Sequence, residues 1–206
     1  MKPIYIDWEF IFKFIESLSI VIASIIAIRG IKSWQNELKW KRKYELAEEV
    51  LANMYEAHHA IKIIRSPFGY TNEGSTRIKK EGETPQETEI YNKAYVSRER
   101  FEKNKKPLTN LHTLKYRFIA IYGLEFEEHF NKFSQIVNKV FAASDEIARI
   151  QTGEYGSNAA ENGKDIKKSR EIIYSRDENE DKLEQELGVA KKVIEDKCRA
   201  IIGENN

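Results

Sequence analysis

The chain has 206 residues, 41% of them hydrophobic and 33% charged, with a formal net charge of +1. That charged share is well above the roughly 25% of an average soluble domain, and it suits long solvated helices. The balance of charge argues against a strongly basic nucleic-acid binder, and a single cysteine, Cys198, rules out an intramolecular disulfide and gives no support to an oxidising compartment.

The first predicted element is a membrane span over residues 8–28, WEFIFKFIESLSIVIASIIAI. As a helix it would rise about 31 Å, close to the thickness of a hydrocarbon core. Lys13 and Glu16 interrupt its outer half; three apart, they are placed to share a face and neutralise one another. Arg29, Lys32, Lys39, Lys41, Arg42 and Lys43 follow the span, opposed only by Glu37, whereas Asp7 and Glu9 offset the few cations before it. This asymmetry predicts an N-terminus outside and a cytoplasmic C-terminal domain, hence a single-pass protein of the inner (plasma) membrane. The acids before the apolar run, and the lack of an A-x-A site after it, favour a retained anchor over a cleaved signal peptide.

On a helical wheel Glu16, Ser19, Ala23, Ala27 and Gly30 share one face of the span. Small residues at four-residue spacing let membrane helices approach closely, and an acid on such a face should meet protein or water and not lipid. That face is therefore the expected seam for a homo-oligomer or for a membrane protein partner. The basic run beyond Ile28 is expected to contact anionic membrane lipids more readily than nucleic acid.

Beyond the anchor (residues 1–30) the chain predicts an all-α, antiparallel bundle over 31–206. A helix over 31–66 carries the stripe Tyr44, Ala47, Val50, Leu51, Met54, Ala57, His58, Ile61 and Ile64, and Pro67 ends it. A polar loop follows over about 67–89, longer than a compact domain usually needs, so functional or mobile. Its candidate contact residues are Arg65, Phe68, Ser75, Thr76 and Arg77. Their hydroxyls, amides and charge suit a phosphate, but the spacing of a P-loop is absent. The bland reading is a flexible loop with scattered charges. Arg65, near the core stripe, is placed to pair with a buried carboxylate or to dock the loop.

Thr84-Pro85 is a helix start, with threonine as the cap and proline in the first turn. One helix is expected to about Asn104. A second runs over 107–122, with Leu108, Leu111, Leu114, Phe118 and Ile121 inward, and Gly123 closes it. Residues 124–151 are the clearest amphipathic stretch, with Phe126, Phe130, Phe133, Val137, Val140, Phe141 and Ile147 at threes and fours. A second long loop covers about 152–179, relieved by a short helix near 166–174. Acids around Asp177 and Asp181 read as solvated surface. A closing helix over 180–202 buries Leu183, Leu187, Ala190, Ile194, Cys198 and Ile201, and Gly203 is its natural stop.

No motif commits the chain to a chemistry. Glu56 and His59 have the Glu-x-x-His spacing of helical di-iron sites, but the second pair is missing and both point away from the apolar stripe. No catalytic residue, cofactor or metal is implied. The leading expectation is a membrane-tethered, non-enzymatic interaction protein acting as a sensor, a scaffold or a small membrane-acting effector of the kind bacterial defence systems use. The alternatives are a membrane-attached bundle that binds a ligand or metal or acts as an enzyme, and a soluble protein whose first helix is buried in its own core.

Overall fold

The computed structural model describes residues 8–154, 156, 159–177 and 180–203, and among these the secondary structure is entirely helical. The elements are α1 (Trp8–Ile64), α2 (Pro85–Tyr122), a single 3-10 turn (Leu124–Phe126), α3 (Glu127–Gln151), α4 (Ala159–Ile173) and α5 (Lys182–Gly203). The chain divides into two compact units, one ending at Glu45 and one beginning at Leu46.

The first unit is the N-terminal part of α1. Side chains at 12–39 are exposed, including Phe12, Phe14, Ile20, Ile26 and Ile28 at 60% or more. The apolar window has a mean hydropathy of 2.2 and none of it is buried. The expectation of a first helix sunk in the protein's own core is thereby overturned. Lys13 does not pair with Glu16; its ammonium lies 3.0 Å from Glu9, because the i,i+4 reach lets the longer side chain meet its partner one turn back.

The second unit is built from amphipathic helices sharing one core. Along α1 the predicted stripe is buried at Ala47, Val50, Met54, Ala57, Ile61 and Ile64, and Leu46 joins it. Phe118 of α2 centres an aromatic cluster, with ring centroids 4.7 Å from Tyr122, 5.2 Å from Phe126 and 5.3 Å from Phe130. Leu187, Ile194 and Cys198 of α5 close the core and are fully buried. Burial pushes the Cys198 thiol up to about 12, so it stays protonated and packs as a small apolar group.

Four boundaries differ from the sequence reading. Thr84 caps α2 as expected, in a full capping box with Glu87, so the first loop ends there and not near residue 89. α2 then runs through Pro107 without a break. The carbonyl that loses its donor belongs to Lys103, an exposed residue, and water can satisfy it. This continuity turns Ile121 outward, 47% exposed. Finally, α4 begins well before the predicted short helix, at Ala159, and α5 includes Gly203.

Candidate functional site

Glu16, Ser19, Ala23, Ala27 and Gly30 are all exposed along α1, and the Ser19 hydroxyl donates to the Ile15 carbonyl at 2.8 Å. That bond satisfies the serine within its own helix, leaving the face smooth for close approach. A Cβ at Gly30 would meet nothing within 4 Å. Arg29, Lys32, Lys39, Lys41, Arg42 and Lys43 are exposed as well, and Lys41 reaches Glu45 at 3.9 Å. The segment thus combines an uncovered apolar cylinder with a cationic collar on its C-terminal side, the combination an anchoring helix requires.

The loop over 67–84 is tied to α2 and to itself by side-chain hydrogen bonds. The Arg100 guanidinium donates to the Ser66 and Phe68 carbonyls, each at 2.6 Å, and forks onto Glu73 at 3.1 and 2.5 Å. Glu99, one residue earlier on α2, accepts from the Gly74 amide at 2.7 Å and the Thr76 hydroxyl at 2.9 Å. Arg77 forks onto Glu83 at 2.7 and 2.5 Å. Gly74 makes the geometry possible: its φ is +85°, and a Cβ there would lie 1.9 Å from the Asn92 carbonyl oxygen.

These contacts set the electrostatics. The bond from Arg77 holds the Glu83 carboxyl down at about 2. The bond from Arg100 holds Glu73 below the usual carboxylate range, and the bond from Lys103 does the same for Glu99. The Thr76 hydroxyl and the Gly74 amide, donors a phosphate would need, are already given to Glu99. Arg77 is likewise committed to Glu83. Beside exposed polar residues such as Asn72, Lys79 and Glu81, the loop turns three apolar side chains outward: Phe68 and Tyr70 are each 85% exposed and Ile78 is 92% exposed.

Arg65 fulfils the first of its two expected roles. It is 1% exposed and meets Asp181 twice, at 2.9 Å and 3.1 Å, with a further bond to the Ile172 carbonyl at 3.0 Å. Asp181 is therefore not solvated surface; it is 3% exposed and accepts from the amides of Leu183 and Glu184 at the start of α5. Burial alone would raise its pKa, but the Arg65 bond and charge outweigh that and hold it low. Next to it, Glu184 bonds His58 and lies 3.6 Å from Lys62. His59 is exposed, as is Glu56. Among the described residues no group of three or more His, Cys, Asp or Glu side chains is gathered as metal ligands.

Sequence reasoning missed Glu73, Glu99, Arg100 and Glu184, and it misread Asp181. Apart from the Glu99–Lys103 pair four residues apart, no local pattern marks them, because their partners lie far along the chain. An apolar cavity of about 270 Å³ also opens between α2 and α3, walled by Phe101, Leu111, Phe130, Phe133 and Phe141. Among the described residues His112 is its one titratable lining residue, so it offers shape and little chemistry. The chain matches no family model, no curated protein and no solved structure.

Proposed function

We propose that this protein is a membrane-tethered, non-enzymatic interaction protein, a scaffold or effector whose N-terminal helix both anchors it and engages a second membrane helix. A single observation carries the reading: an apolar window of mean hydropathy 2.2 with none of its surface buried. Leaving that much apolar area in water would cost about 25 cal/mol for every Å², so some apolar phase must cover it. The cations beyond Ile28 assign the cytoplasmic side to the C-terminal part, a helical bundle of antiparallel design, in a single-pass inner-membrane topology. The Glu16–Ser19–Ala23–Ala27 face supplies the association seam, whether toward another copy or toward a membrane protein partner. The clamped loop with exposed Phe68, Tyr70 and Ile78 supplies a second contact surface.

Membrane fractionation tests this. The full chain is expected to survive an alkaline wash and to leave the membrane only with detergent. A chain starting at Ile31 is expected in the soluble fraction. Recovery of the full chain without detergent would overturn the anchor. Protease added from outside should spare everything after Arg29, and digestion of that part would reverse the topology.

A further inference from the structure

Past the span, α1 carries a second apolar stripe in a stretch otherwise rich in charge. Ile31, Trp34 and Leu38 are 55%, 61% and 36% exposed. Counting from Ala27 they fall at alternating steps of four and three, the spacing of the a and d positions of a coiled coil. Because α1 is unbroken from Trp8 to Ile64, the phase carries over from the span. The stripe lies on the same face as Glu16, Ser19, Ala23, Ala27 and Gly30. Arg29, Lys32, Lys39 and Lys43 fall on the opposite side.

The flanks of the stripe are charged in a complementary way. With Ile31 and Leu38 at a and Ala27 and Trp34 at d, Glu37 occupies a g position and Arg42 the e position five residues later. In a parallel coiled coil those two positions face each other across the interface, g of one helix against the following e of its neighbour. Both side chains are exposed, and neither has an ion-pair or hydrogen-bond partner among the described residues. The next d and a positions, Lys41 and Glu45, are charged and 3.9 Å apart within one chain, so the stripe stops there.

We infer that this face receives a second copy of the same chain, parallel and in register. Ile31, Trp34 and Leu38 pack across the axis, and Glu37 of each copy pairs with Arg42 of the other. The inference deepens the association reading of the span and rests on the anchor, since two copies inserted alike are held parallel before they touch. Self-complementarity selects the occupant: one surface brings the acid on one flank and the base on the other, as a two-fold pair requires.

The test is cysteine crosslinking of the full chain in native membranes, with the unsubstituted chain as control because Cys198 is buried. Under mild oxidation, Leu38→Cys is expected to give a disulfide-linked dimer, and Asn36→Cys, on the far side of the helix, is not. In the Leu38→Cys background, Glu37→Arg or Arg42→Glu alone should cut the dimer by a factor of about five, since two attractive pairs become two repulsive ones. The combined Glu37→Arg, Arg42→Glu chain should recover it. Equal crosslinking at both cysteine positions, a heavier adduct with another protein, or no rescue by the charge swap would each overturn the inference. So would the absence of a Leu38→Cys dimer in chains that still need detergent for extraction. A chain found in the soluble fraction would instead defeat the anchor on which the inference rests.

Discussion

Arg65 spends its whole guanidinium inside the protein. Two contacts go to Asp181 and others to the carbonyls of Ile172, Glu171 and Tyr174, while the Ser175 amide donates back to the Arg65 carbonyl at 2.7 Å. One side chain therefore joins the end of α1 to the end of α4 and the start of α5. Removing it leaves Asp181 buried and unpaired, which for a buried pair costs roughly 3–5 kcal/mol. Arg65→Leu should show that loss in the denaturant midpoint of the detergent-solubilised full chain. Adding Asp181→Asn should recover part of it, because the uncompensated charge is gone. Glu184 gives a different signature. Burial would raise its pKa, but the His58 bond and the charges of His58 and Lys62 prevail and hold it below the ordinary value. A carboxyl depressed on folding adds stability above its unfolded pKa of about 4.3 and loses it as pH falls through the folded value. Glu184→Gln should thus lower stability at pH 7 and shrink the difference between pH 7 and pH 3, read from urea midpoints at the two values.

At the scale of elements, the loop between α1 and α2 shows why length alone misleads. Its backbone turns back at Glu73, whose amide donates to the Tyr70 carbonyl at 3.0 Å, and at Gly74. Three carboxylates and two arginines then hold it against α2. Order of this kind rests on few groups, so it should fail at once when one is lost. Arg100→Leu is expected to speed amide hydrogen exchange over residues 68–77 and to open Arg77, Lys79 and Lys80 to trypsin, with the core helices still protected. Gly74→Ala should act alike, since alanine is strained at φ +85° and its Cβ would collide with the Asn92 carbonyl. Unchanged exchange in both variants would mean the clamp does not order the loop. In α2 the opposite lesson holds: Pro107 reads as a stop, yet the helix continues because the lost bond lies at exposed Lys103 and the flanking turns pack on α3.

For the whole molecule, the two units divide the work. Among the described residues, the core cluster begins at Leu46 and draws none of its members from the exposed stretch before it. A chain starting at Ile31 should accordingly keep the denaturant midpoint of the full chain; a large drop would mean the N-terminal helix contributes to the core after all.

The repeating side of this protein was legible from residue order alone. The long apolar N-terminal helix, the α1 stripe over Ala47–Ile64, the phenylalanines of α3 and the buried face of α5 all announce themselves through spacing and composition, because helical periodicity places side chains by local geometry. The Thr84–Pro85 start and the pairing of Arg65 with a buried acid were readable for the same reason. Only the tertiary structure decided which acid Arg65 meets, that Asp181 is core and not surface, that Glu73 and Glu99 use up the loop's donors, and that α2 passes through Pro107. Each of these depends on groups brought together from distant parts of the chain. Their energies come from burial and pairing, which local order does not encode.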